Sequence, residues 1–212
     1  MSGLITMIDY GGSNLRSAQK ALEAVGAQVQ VTADPDVVRR AAKLVLPGVG
    51  AFGAGMAALR ARGLDAATLA AVEAGALLLG ICLGMQFLFD ESDEMGRHLG
   101  LGLIPGQVTR FPADLRVAGR SLKVPHVGWN EIDHDGRHPL LAGVAPGAHA
   151  YFVHSYYCVP RDGVDVLARA DYGHPFAAVV GRERVLGIQF HPEKSQRVGL
   201  RILSNFATME VT

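Results

Sequence analysis

The sequence holds only two cysteines, Cys82 and Cys158, and a single tryptophan, Trp129. So few cysteines exclude a disulfide-stapled scaffold. Neither sign of charge is in excess, with 20 basic against 20 acidic residues, so the electrostatic footprint of a protein that binds nucleic acid or an anionic membrane is missing. No apolar run reaches membrane-spanning length, and the longest, around Ala74 to Phe89, is interrupted by Gly80, Gly84 and Gln86. The opening residues, MSGLITMIDYGG, carry an acid early and offer neither a basic region nor a small-residue cleavage site. A cytoplasmic protein is therefore expected. There is no internal repeat, no low-complexity stretch and no linker. A chain of 212 residues suffices for one sizeable core, and a single domain over residues 1–212 is expected.

What is present is an alternation of short apolar strands and amphipathic helices. LITMIDY (residues 4–10) reads as a strand and GGS as the turn after it. Residues 14–25 then set Leu15, Ala18, Leu22 and Val25 at helical spacing. AQVQVT alternates like a strand, and Asp34 followed by Pro35 marks a helix start. KLVLPG is a buried strand running into a glycine-rich loop, residues 52–73 read as helical, ALLLGI is the next strand, and residues 83–89 are expected to open another helix. After Gly96 come short β-like pieces, among them GLIPGQVTRF, LKVPHVGWNEI, HAYFVHSYYCV, VDVLARA, FAAVVG and VLGIQF, before a final helix over residues 196–209. The pattern predicts an α/β fold: a three-layer, flavodoxin-like domain with a mostly parallel central sheet and an added small antiparallel sheet.

Between the ALLLGI strand and its helix lies GICLG. Strand, G-x-C-x-G, helix is the cysteine counterpart of the nucleophile elbow. Small neighbours on either side of Cys82 let strand and helix approach, the next amide (Leu83) faces a developing oxyanion, and a helix N-terminus favours thiolate. A small buried hydrophobe is the competing reading of Cys82. Cys158 has no such setting and reads as packing. A cysteine nucleophile needs a base and a group to orient it. In GIQFHPEKS, His191 and Glu193 stand two apart beyond an apolar strand, so extended backbone puts both on one face; a surface pair at a strand end is the alternative. LPGVGAF ends another buried strand, and Gly48 and Gly50 flank Val49 with backbone amides able to face a ligand. An ordinary loop stays open there. A phosphate loop is disfavoured because no G-x-x-x-x-G-K-[ST] occurs. His134 and His138 are four apart but punctuated by Gly136 and Pro139, which argues for a loop and no metal.

Taken together, GGSNLRS, LPGVGAF, GICLGMQFLFDESDE, KVPHVGWN, YFVHSYY and GIQFHPEKS span nearly the whole chain. They resemble the class I, triad-type glutamine amidotransferases, and within them the glutaminase subunits of imidazole glycerol phosphate synthases. The resemblance implies that Cys82 attacks the carboxamide of glutamine to give a γ-glutamyl thioester, with His191 as base and acid and Glu193 orienting it. It implies an oxyanion hole from the Leu83 amide and one from Val49 or Gly50, and glutamine contacts from Gly48, Gln86, Glu94, Ser155 and Tyr156. It implies no cofactor. It also implies a partner, a separate (β/α)₈ cyclase that receives ammonia through a tunnel in histidine biosynthesis. Asn14 and Trp129 are assigned to that interface, a core position being the alternative for Trp129. If the Val49 peptide must turn to aim its N–H inward, the isolated subunit is nearly inactive until the loaded partner binds. The rivals are a glutaminase serving another acceptor, a non-catalytic subunit on the same fold, and a cysteine peptidase or γ-glutamyl hydrolase.

Overall fold

The computed structural model describes residues 3–12, 15–117 and 120–210. Its first half comprises β1 (Ile5–Ile8), α1 (Leu15–Ala24), β2 (Val29–Thr32), α2 (Pro35–Arg39), β3 (Lys43–Gly48), α3 (Phe52–Ala61), α4 (Leu64–Glu73), β4 (Leu77–Cys82), α5 (Leu83–Gln86) and β5 (Phe89–Ser92). The β-rich remainder comprises β6 (His98–Leu99), β7 (Ile104–Arg110), β8 (Arg116–Val117), β9 (Arg120–Ser121), β10 (His126–Ile132), β11 (Ala148–His154), β12 (Tyr156–Pro160), β13 (Val166–Asp171), β14 (Pro175–Arg182) and β15 (Val185–Ile188). Helix α6 (Gln196–Thr208) follows.

Every residue of β3 and β4 is buried, which suits strands covered on both faces. They form the middle of a seven-stranded sheet in the order β13-β14-β15-β4-β3-β1-β2. From β2 to β15 the strands run parallel, while β14 and β13 add an antiparallel edge. Alternate side chains divide between two cores. Val45, Leu79 and Ile81 pack with Ala18 and Leu22 of α1 and Ile202 and Phe206 of α6. Leu44, Leu46 and Leu78 pack with Phe52 and Met56 of α3 and Leu64 and Ala67 of α4. The three-layer arrangement thus follows from strand alternation. The α2 start is as the sequence predicts: Asp34 accepts the Asp36 N–H at 2.8 Å and Pro35 takes the first position.

The smaller β structure is divided among a four-stranded sheet, β12-β7-β5-β6, and two ribbons, β10-β11 and β8-β9. Within the four-stranded sheet the β5–β7 pair is parallel, and VDVLARA, FAAVVG and VLGIQF join the central sheet instead. Two local readings need correction. The helix expected over residues 83–89 is a single turn, and Phe89 already pairs with Ile104 of β7. Phe87, Leu88 and Phe89 are all fully buried, so this stretch has no polar face for an amphipathic helix to turn outward. HAYFVHSYYCV is also not one strand. It breaks at Ser155, β11 pairing with β10 and β12 with β7. Among the described residues no helix is long and apolar enough to cross a membrane.

Candidate active site

Cys82 ends β4 with φ 55° and ψ −112°, a conformation that costs a non-glycine residue about 1–3 kcal/mol and persists only where its surroundings enforce it. Glycines do the enforcing. A Cβ on Gly84 would overlap the Leu46 carbonyl, and one on Gly80 would stand 2.5 Å from the Gly84 oxygen. Strand and helix therefore meet backbone to backbone, and the sharp reversal between them lifts the Cys82 side chain off the sheet. The Leu83 N–H, at the first position of α5, has no acceptor within its own helix. Gly48 pairs with Cys82 across β3 and β4, with Gly84 N only 2.7 Å from where its Cβ would be.

Strand β15 lies beside β4, parallel to it, and delivers His191 to the same end of the sheet. His191 Nδ1 lies 2.8 Å from Glu193 Oε1, and both side chains are under one-tenth exposed. Nδ1–H donates to the carboxylate, which leaves Nε2 for the sulfur. The main chain here is pinned: the His191 N–H donates to the Tyr151 carbonyl at 2.9 Å and the Ser195 hydroxyl donates to the His191 carbonyl at 2.7 Å. Burial by itself would lower the His191 pKa, but the hydrogen bonds and negative charges of Cys82 and Glu193 outweigh it and raise it to about 10. His191 is thereby favoured as the imidazolium. Cys158 is fully buried, and desolvation drives its thiol well above the ordinary range.

Cys82 and His191 line a cavity of about 300 Å³ with Val49, Gly50, Leu83, Gln86, Glu94, Ser155 and Tyr156. Gly48 does not line it; its place in β3 is a packing position behind the elbow. Glu193 stands behind His191, away from the cavity. Glu94 Oε2 accepts the Phe52 N–H at 2.6 Å, so it anchors the start of α3 and with it the far end of the Val49–Gly50 loop. Beneath that loop the Tyr10 hydroxyl is buried, and burial raises its pKa to about 12 against a hydrogen bond from the Val49 backbone. By donor–acceptor geometry the buried hydroxyl has no hydrogen-bond partner among the described residues. Asn14 lies outside the described residues.

Sequence reasoning missed Gln189, fully buried beside the nucleophile. Gln86 Nε2 donates to the Tyr156 carbonyl and to Gln189 Oε1, both at 3.1 Å, so of the Gln86 amide only its oxygen is left for a ligand. The signal was available: Gln189 stands two residues before His191 in the same strand run and shares its face. His154 was missed too, although it lines the cavity and donates through Nδ1 to the Tyr156 carbonyl at 2.9 Å.

Beside the cavity, the β10–β11 ribbon turns one face to solvent. Val127 pairs with Val153 and Trp129 with Tyr151, which places all four side chains on that face. Trp129 is 46% exposed, with Val127 and Val153 also exposed, and Lys194 Nζ stands 5.5 Å from the Tyr151 ring centroid. The reading of Trp129 as a core residue is excluded.

The family described as "Glutamine amidotransferase class-I" matches residues 6–209. "Imidazole glycerol phosphate synthase subunit HisH" of Syntrophotalea carbinolica is 56% identical over 97% of this chain and 100% of its own. The protein of the same description from Geobacter sulfurreducens is 50% identical over 97% of this chain and 99% of its own. Among solved structures, PurLQS from Thermotoga maritima superposes with a TM-score of 0.75 at 21% identity, over 97% of this chain and 98% of that one, a likeness of fold alone.

Proposed function

The chain belongs to the class-I glutamine amidotransferase family, among the glutaminase subunits of imidazole glycerol phosphate synthases, and on that premise we propose how its residues divide the work. The family places it in histidine biosynthesis as one subunit of a complex. The Cys82 thiolate attacks the side-chain carbonyl of glutamine, and the charge that develops on oxygen is taken up by the Leu83 N–H. The His191 imidazolium gives its proton to the departing nitrogen, ammonia leaves, and a γ-glutamyl thioester remains on Cys82. Neutral His191 then takes a proton from water, the hydroxide adds to the thioester, and glutamate is released. Glu193 fixes the tautomer throughout. Cys82 and His191 together in one cavity, with Glu193 bonded to His191 from behind, carry this reading. Glutamine is held by the Gln86 carbonyl oxygen, Glu94 and the chain at Ser155 and Tyr156.

Free ammonia becomes ammonium in water and is lost to an acceptor, so the product passes directly to the partner. That partner is a (β/α)₈ cyclase, docked on the apolar face around Trp129, Tyr151 and Val153, which adjoins the cavity. Residues 1–212 form one amidotransferase domain working in the cytoplasm. The Val49 peptide turns its N–H inward when the loaded cyclase binds and completes the oxyanion hole. A ~1,000-fold activation needs about 4 kcal/mol of differential stabilisation.

The test is glutamate release by the subunit alone and mixed with a cyclase carrying its ribonucleotide ligand, with Cys82→Ser and Cys158→Ser alongside. Strong activation, abolished only in Cys82→Ser, is the expected outcome. Fast turnover by the isolated subunit, unchanged on adding the cyclase, overturns both the gate and the partner assignment.

A further inference from the structure

Gln189 is fully buried at the head of the sheet, a costly place for an amide unless both ends are used. Its Nε2 lies 3.8 Å from Cys82 Sγ, and its Oε1 lies 3.1 Å from Gln86 Nε2. An amide's two ends are told apart by their partners, and here a backbone carbonyl decides. The Tyr156 carbonyl can only accept, so the end of Gln86 that reaches it at 3.1 Å is the NH₂ end. The same NH₂ meets Gln189, which must therefore present its oxygen to Gln86 and its NH₂ to the sulfur. The Tyr156 carbonyl is itself held by His154 Nδ1–H at 2.9 Å, so nothing in the chain is free to invert.

Resting on the reading of Cys82 as nucleophile, we propose that the Gln189 side-chain amide donates a hydrogen bond to the Cys82 sulfur and holds it as a thiolate. The interaction is strongest when sulfur carries charge. It therefore acts twice in the cycle. Before attack it stabilises and aims the thiolate. In thioester hydrolysis, water loses its proton to His191, the hydroxide adds to the carbonyl carbon, and the tetrahedral intermediate collapses with cleavage of the carbon–sulfur bond. The bonding pair returns to sulfur, where the Gln189 N–H meets it. A thioester sulfur is a poor acceptor, so the bond favours sulfur's departure over its retention.

The experiment is the rate of Cys82 alkylation by iodoacetamide against pH, followed by peptide mapping in the full chain, for the native protein, Gln189→Met, Gln189→Glu and Gln86→Met. A hydrogen bond to a charged group is worth enough to shift a thiol titration by about one to two pH units. Gln189→Met should move the midpoint up by that much, and Gln189→Glu, isosteric but without the donor, should move it at least as far. Gln86→Met removes the anchor that orients the Gln189 amide and should move the midpoint in the same direction, less far than Gln189→Met. Under saturating glutamine, Gln189→Met should also accumulate thioester, seen by mass. An unchanged midpoint in Gln189→Met or in Gln189→Glu overturns the proposal. Full glutaminase activity in Cys82→Ser would instead overturn the reading of the nucleophile.

Discussion

His126 Nδ1 stands 3.1 Å from His154 Nε2 in the wall behind the cavity. His154 Nδ1–H is committed to the Tyr156 carbonyl, so its Nε2 carries a lone pair and accepts from His126. Both rings are neutral by geometry. Burial lowers His126 to about 4, and burial outweighs the hydrogen bond to the Tyr156 carbonyl and, with smaller contributions from His126 and His191, lowers His154 to about 3. Above pH 6.5 neither the folded nor the unfolded chain protonates them. Between pH 6.5 and these lowered values the unfolded chain binds protons that the folded one refuses, so stability falls as pH falls through that window. Urea midpoints measured from pH 6.5 down to pH 4 should decline. His126→Gln, which keeps a donor and cannot ionise, should decline less steeply. Parallel curves for the two proteins would refute the neutral pair.

The elbow sets stability against chemistry. Cys82→Gly and Cys82→Ala both remove the thiol and should both abolish glutaminase activity, but only glycine relieves the positive φ. The glycine variant should therefore be the more stable of the two by about 1 kcal/mol. Gly84→Ala does the reverse, forcing a methyl into the Leu46 carbonyl, and should lose about 1–3 kcal/mol together with most activity. Calorimetry of the three variants checks the order.

Glu193 both orients His191 and raises its pKa. Glu193→Gln should lower kcat by about 100-fold. The imidazolium is the acid that expels ammonia, so native activity should fail as pH rises through about 10. The alkaline limb should move to lower pH in Glu193→Gln, because the charge that holds the proton is gone. A pH–rate profile of the cyclase-bound protein reads the limb directly, and an unmoved limb would assign it to another group.

Trp129 is exposed on the ribbon that also supplies Val153 to the cavity wall. Trp129→Ala should weaken association with the cyclase by at least about 10-fold, as loss of an aromatic anchor does, while the melting temperature of the subunit stays within about two degrees. Titration calorimetry and thermal melts separate the two effects. A large drop in melting temperature with unchanged affinity would assign Trp129 to folding.

The central sheet and its helices were legible because alternation and capping are local. Asp34 and Pro35 mark the start of α2 in sequence as in structure, and the fully apolar LVL of β3 reads as a strand buried on both faces. The later strands were harder, since which sheet a strand joins is decided by partners far along the chain. Nothing local in HAYFVHSYYCV says that Ser155 carries it from β10 to β7. Phe89 was misassigned because Phe87 and Leu88 prolong an apolar run whose period is ambiguous. At the site, Cys82, His191 and the loop at Val49 and Gly50 could be read from motifs and do converge on one cavity. Gly48 could not be separated from its neighbours, because turning from strand into loop is a backbone matter. Gln189 escaped notice as a polar residue just past the end of β15, where its role depends on Gln86, more than a hundred positions away.

Gly48 and Cys82 are facing rungs of one ladder, and the loop and the elbow leave the sheet from those rungs. On the proposed mechanism, the reach from the Cys82 sulfur to a donor on that loop is bounded by the spacing of adjacent strands, about 4.8 Å in any sheet. Sequence drift in the surrounding cores can loosen or tighten the molecule without recalibrating that interval. On the same proposal, the orientation of the Val49 peptide is what stays adjustable, and the loop acts as the throttle of an otherwise fixed frame.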